Sequence, residues 1–270
     1  VQKPDRPISV LVETGRAALD LFYECFRLIA FVGELSAALF HALLHPRRIR
    51  WGDTLRLTEL AGVNGLPIVA LIGFLVGLII SFQSAIPLRQ FGADIFVADM
   101  IALGMLRELG PLMTAIILAG RTGSAFAAEL GTMRVNEEID ALTTMGLRPV
   151  RFLVVPRVLA AVVVTPMLTL FADFMGLVGG AVVLLSLGYP FVAYYQHAVA
   201  AVGYGDLLGG LAKSFVFGIL VAGVGCLRGL QTRTGASAVG DSTTRAVVSG
   251  IVLIAVADGI FAVIFYYLDI

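Results

Sequence analysis

Arg107 and Glu108 stand side by side in an otherwise apolar stretch, about residues 98–130. An ionised group at mid-bilayer costs roughly 3 kcal/mol on insertion scales, so it needs a partner or a wet cavity. Adjacent residues on a helix point about 100° apart, so the two should meet different partners more readily than each other. Two readings stay open: a self-neutralising structural pair, or groups facing a cavity that holds a polar headgroup. A planar, forked guanidinium suits a phosphate. Pro111 follows closely and removes the hydrogen bond to the Arg107 carbonyl, which predicts a kink there. Asp173 and Asp258 are single acids in later apolar stretches, suited to a proton or ion relay or to a buried, protonated or serine-bonded state. Lys213 is expected to snorkel from the outer end of its stretch. Gln83 either lines a cavity or simply packs.

Other chemistries find no support. A Walker A loop needs G-x-x-x-x-G-K-[ST], and the only internal lysine, Lys213, is preceded by Ala212. No Ser/His/Asp or HExxH arrangement appears. Cys25 and Cys226 are far apart, which indicates neither a disulfide framework nor a zinc site. His41 and His45 form one i,i+4 pair beside Pro46 and read as a solvated helix end. No catalytic residue, metal or cofactor is expected in the chain, so uphill movement of any cargo needs a partner or an ion gradient.

The elements that must position these residues are membrane helices. Hydrophobic residues make up 59% of the 270 and charged ones only 14%, against ~25% in soluble domains. Mean hydropathy is +0.94. The net charge of zero leaves no global basic field for nucleic acid. About 20 apolar residues cross a bilayer. Five spans are expected at about 60–88, 98–130, 158–188, 207–227 and 246–268. Within the first, Gly73-Phe-Leu-Val-Gly77 offers a small-xxx-small surface for close helix packing.

Residues 1–56 form a separate N-terminal segment ahead of the 57–270 membrane domain. Its polar start, and the interruptions at Glu13, Asp20, Glu24 and Arg27, speak against a secretory signal. Leu19, Phe22, Phe26 and Ile29 share a helical face broken by charges, which suits a helix lying in the interface. Residues 1–56 hold eight Lys or Arg, and the loops at 131–157 and 228–245 hold four and three. The two opposite connections hold only Arg89. That bias places the N-terminus in the cytoplasm and the C-terminus outside.

Met133 to Met145 reads as a short amphipathic helix with Val135, Ile139 and Leu142 at i, i+4 and i+7. Glu137, Glu138 and Asp140 make anionic lipid a poor surface for it. A protein groove suits it better, through helix-in-groove docking.

Several motifs together resemble the MlaE (YrbE-like) permease family. They are Arg107-Glu-Leu-Gly-Pro111, the run from Ala119-Gly-Arg121 through Glu129 to Met133, Asn136 to Leu142, Met145-Gly146, Val155-Pro-Arg157 and Thr243 to Val248. The resemblance covers about residues 55–270. It implies an all-α integral membrane protein with an N-terminal interfacial helix, five transmembrane helices, and a cytoplasmic coupling helix between the second and third. It also implies a homodimeric permease of an ABC-type system that moves phospholipid between the inner and outer membranes. The expected partners are a cytoplasmic ATPase carrying ATP and Mg, a periplasmic MCE-domain protein and often a STAS-domain protein. By this resemblance the helix around Glu137 and Glu138 seats on the ATPase, and Arg107 and Glu108 line the lipid cavity near the dimer interface. The residues alone leave two rivals: an ion-coupled secondary transporter using Glu108, Asp173 and Asp258, and a membrane scaffold.

Overall fold

The computed structural model describes residues 26–268 except 27 and 234. The chain divides into two units, Val1–Ile49 and Arg50–Ile270. In the first, helix α1 (Leu28–Leu44) buries Phe31, Leu35, Ala38 and Ala42 along one stripe and exposes Val32, Phe40 and Leu43. It is shorter than the ~20 residues a crossing helix needs. Leu19, Phe22, Glu24 and Arg27 lie outside the described residues.

The second unit contains α2 (Trp51–Arg89), α3 (Asp94–Val135), α4 (Glu138–Thr144), α5 (Val150–Ser186), α6 (Phe191–Ala201), α7 (Tyr204–Leu230) and α8 (Ala236–Leu268). No strand occurs among the described residues. This follows from the solvent: in hydrocarbon every backbone donor and acceptor must be satisfied within its own segment, and a helix does that. Five helices, α2, α3, α5, α7 and α8, are long and apolar enough to cross a membrane. All five start before the expected apolar limits, while α5 ends two residues short of its expected end. α2, for example, starts at Trp51 rather than near residue 60, with Asp53 in its first turn, where an acid favours the helix dipole.

One local expectation is corrected. The reach from Met133 to Met145 is not one helix. α3 ends at Val135, Glu137 turns left-handed with φ of 61°, and α4 begins at Glu138. An Arg134–Asp140 ion pair ties the two sides of the break. The connection after α5 carries a helix of its own, α6. Just ahead of Pro111, α3 carries a π-helical turn at Met105–Leu109, where the Gly110 N–H donates to the Met105 carbonyl five residues back. A second such turn spans Ala119–Gly123. Single π turns inside α-helices are frequent at functional sites.

α2 and α5 pack along a seam of small residues. Ala61, Gly65, Val69, Gly73, Gly77, Ser81 and Ala85, each four residues from the last, are all buried. Four residues advance about 400° on a helix, so the stripe drifts around α2 by about 40° per step. A β-carbon on Gly73 would lie 2.7 Å from the Ala172 carbonyl oxygen, and one on Gly77 would strike the Gly176 backbone. The expected Gly73/Gly77 surface is therefore used, and its counterpart is Ala172 and Gly176. The Ser81 hydroxyl donates to the Gly77 carbonyl at 2.5 Å, so its polarity is satisfied within the helix.

α7 meets its neighbours in the same way. A β-carbon on Gly225 would lie 2.5 Å from the Gly123 carbonyl oxygen of α3, and one on Gly218 would lie 2.8 Å from that of Ala161 in α5. Gly210 lies directly against the Leu106 carbonyl. This last contact brings the start of α7 onto the π-turn that carries Arg107 and Glu108.

Candidate functional site: a buried charge junction

Lys213 is the centre of the site. One turn beyond Gly210, it points inward with its side chain 0% exposed. Its Nζ donates to Glu108 Oε2 at 2.6 Å and to Asp258 Oδ1 at 3.1 Å. The same nitrogen lies 5.3 Å from the centre of the Phe265 ring. An ammonium has three N–H donors and no acceptor. Two carboxylates and an aromatic face therefore account for its surroundings. The snorkelling expected of Lys213 is corrected: the close approach at Gly210 directs the stem toward α3 and α8 instead of toward the outer interface.

Arg107 forms a separate pair. Its Nη1 lies 3.2 Å from Asp206 Oδ1 in the first turn of α7. The other oxygen of Asp206 accepts the Gly203 backbone N–H at 2.8 Å. Arg107 and Glu108 thus diverge to different partners, as their 100° separation requires. Three carboxylates and two cations meet where α3, α7 and α8 converge. The junction is not sealed, because the Glu108 side chain is 41% exposed and that of Arg107 35%.

Sequence reasoning had Arg107 and Glu108 but missed Lys213 and Asp206 as their partners. A usable signal existed. Glu108 and Asp258 are acids in two apolar spans, and Lys213 is the lysine of a third. Buried charges are paired, so the three were candidates for one cluster.

Asp173 stands apart. Its carboxyl presses on the α-carbon of Gly110, where a β-carbon would collide with Oδ1. That oxygen is buried without a hydrogen-bond partner among the described residues. Gln83 lies on an exposed face of α2. Beside α6 lies an apolar cavity of about 700 Å³, lined by Leu106, Phe174, Leu177, Tyr195 and Leu207 among others. Leu106 and Leu207 are the sequence neighbours of the Arg107–Asp206 pair. α6 is held by the Tyr194 hydroxyl, which donates to the Leu177 carbonyl at 2.8 Å, and by His197, whose Nδ1 is 3.2 Å from Asp99. Burial pushes the Tyr194 phenol up to about 12, so it stays a neutral donor.

At the other end of α3, the short helix α4 buries Ile139 against its own chain, with Val135 and Leu142 half-buried. Glu137, Glu138 and Asp140 are exposed. What α4 presents outward is acidic, and Ile139 anchors it.

Among the described residues no His, Cys, Asp and Glu gather as a metal-ion set. What the junction offers is fixed, partly desolvated charge of both signs beside an apolar cavity. That chemistry suits holding an amphipathic charged molecule.

Comparison with known proteins identifies the family. Residues 54–264 match the family described as Permease MlaE. The chain is 36% identical to a probable ABC transporter permease protein of Rickettsia prowazekii over 206 residues, 76% of this chain and 80% of the relative. It is 36% identical over 245 residues to a probable ABC transporter permease protein of Synechocystis, covering 90% of this chain and 92% of the relative. Over 263 residues it is 28% identical to the intermembrane phospholipid transport system permease protein MlaE of Haemophilus influenzae, covering 96% and 98%. With five membrane-crossing helices in the expected order and the family match extending over most of its length, this chain belongs to the MlaE permease family as a multi-pass membrane protein.

Proposed function

We propose that this protein is the permease subunit of an ABC-type system that moves phospholipid between the inner and outer membranes and so maintains outer-membrane lipid asymmetry. The observation that carries the reading is the junction of Arg107, Glu108, Lys213, Asp206 and Asp258, partly exposed beside an apolar cavity, in a chain of this family. A phospholipid headgroup carries a phosphate and its tails need an apolar wall. Arg107 can exchange its Asp206 partner for a phosphate, and Glu108 keeps Lys213 engaged when it does. The Haemophilus relative is named for phospholipid transport, which supports the same cargo. Gln83, exposed on α2, is assigned to the same lipid path.

In this reading the chain is a non-catalytic subunit of the inner membrane. It works as a homodimer whose junctions face a shared lipid cavity. A separate ATPase binds ATP and Mg, docks on α4 through Glu137 and Glu138, and drives the cycle. A periplasmic MCE-domain protein, and a STAS-domain protein in some systems, complete the assembly. The charge bias supports an N-terminus in the cytoplasm and a C-terminus in the periplasm.

The test is co-purification followed by reconstitution. A stable complex with an ATPase whose hydrolysis is stimulated by lipid is expected. Charge reversal at Glu137 and Glu138 should weaken that complex, and unchanged assembly would count against docking on α4. Transport by the isolated chain under a proton gradient would favour the ion-coupled rival. Full transport by Arg107→Ala and Glu108→Ala would favour the scaffold.

A further inference from the structure

A second pocket lies at the opposite end of α3 from the junction. Its volume is about 420 Å³, and it is walled by the start of α2, the end of α3 and the start of α5. Glu129, which lines it, is 21 residues beyond Glu108, about 30 Å along the helix, so the two sites are distinct. Three arginines line it: Arg50, Arg56 and Arg157.

Two of them are already compensated. Arg50 pairs with Asp53 at 2.6 Å and stacks 4.2 Å over the Phe152 ring. Arg157 pairs with Glu129 at 2.9 Å and donates to the Leu153 carbonyl at 2.8 Å. Arg56 is exposed and forms no ion pair among the described residues. The two carboxylates of the pocket, Asp53 and Glu129, are thus engaged, and Arg56 is an uncompensated cation. In addition, the buried Nε–H of Arg157 has no hydrogen-bond partner among the described residues.

Depth and lining select among anions. The charge-free stretch of α2 begins at Leu60, four residues and about 6 Å beyond Arg56. Trp51 marks the interface one turn earlier. The Arg56 guanidinium therefore stands at headgroup level, while Leu57 and Leu60, further along α2, continue the wall toward the hydrocarbon. A free phosphate would use the charge and have no use for that wall. A phospholipid uses both. The surplus positive charge selects a headgroup of net negative charge over a zwitterionic one, and basic pockets between membrane helices bind such headgroups.

We infer that this pocket is a binding site for one anionic phospholipid per chain, held by its phosphate at Arg56 and Arg157, separate from the junction. The inference rests on the family's membrane placement and not on the transport reading. Which leaflet the pocket meets does not alter it.

The test uses the purified full-length chain in detergent, stripped of lipid and titrated with phosphatidylglycerol or phosphatidylcholine under native mass spectrometry. Phosphatidylglycerol is expected to bind with preference. R56A, at an exposed and unpaired position, should weaken it about fivefold. R148A, an exposed arginine just ahead of α5 and outside the pocket lining, should leave it unchanged. Millimolar inorganic phosphate should fail to displace the lipid. Equal loss in R56A and R148A would reduce the effect to diffuse surface charge and overturn the site. So would equal binding of the two lipids, or displacement by free phosphate, which would mark a general anion site.

Discussion

The α2–α5 seam and the α3–α7–α8 junction solve the problem of holding helices together in lipid in opposite ways. The seam is uncharged. Ala61 through Ala85 bring one backbone onto another, and the Ser81 hydroxyl closes on its own helix. The junction is charged. Lys213 holds two acids from two other helices, and a π-turn in α3 aims Glu108 at it. A backbone seam has one good arrangement, because carbonyls and α-carbons fit in a single register. Charged side chains can trade partners. The difference teaches that α2 and α5 serve as frame, and that the movable chemistry lies where α3 meets α7 and α8.

That contrast can be broken by substitution. The largest effect is expected at Lys213. K213A leaves the Glu108 and Asp258 carboxylates without their cation and should cost about 3–5 kcal/mol, read as a large fall in thermal stability of the purified protein. Adding E108Q and D258N to K213A should recover most of that stability without recovering transport. A triple variant as unstable as K213A would show that packing of the lysine stem matters more than its charge.

Next comes the seam. G77A drives a β-carbon into the Gly176 backbone and should cost about 1–3 kcal/mol. Wild-type stability for G77A would show that α2 and α5 slide freely, and the frame assignment would fall. At Arg107 the two readouts should separate. Its pair with Asp206 is one-third exposed on the arginine side, so R107A should change stability by no more than about 1 kcal/mol. Transport should nonetheless be lost, and R107K should restore only part of it because a lysine lacks the fork. The smallest effect is expected from Y194F, which removes one hydrogen bond from α6 to Leu177 and should cost about 1 kcal/mol. Because burial keeps the phenol neutral, wild-type stability at that bond should not change between pH 6 and 9. A pH-dependent loss in the wild type that Y194F abolishes would contradict this.

The frame was largely legible in the sequence. Apolar runs of spanning length predict helices because lipid permits little else, and Gly73-xxx-Gly77 announces close packing. Helix ends were less legible, since backbone hydrogen bonding continues past the apolar run, as at Trp51. The junction was half legible. Arg107 and Glu108 declare themselves by cost, but Lys213 was assigned outward from its position along one span. Its true direction depends on Gly210 meeting Leu106, a contact between helices about 100 residues apart in sequence. Glu137 shows the same limit at short range. An i, i+4, i+7 pattern joins Val135, Ile139 and Leu142, yet one left-handed residue breaks the helix between them.

The most direct measurement is lipid movement in proteoliposomes that hold the purified chain with its co-purified ATPase. Labelled phospholipid would be followed with and without ATP, in wild type and in R107A. The account predicts ATP-dependent movement in the wild type, none with the permease chain alone, and its loss in R107A while the complex stays intact. Undiminished movement in R107A, or movement driven by a proton gradient in the absence of the ATPase, would contradict it.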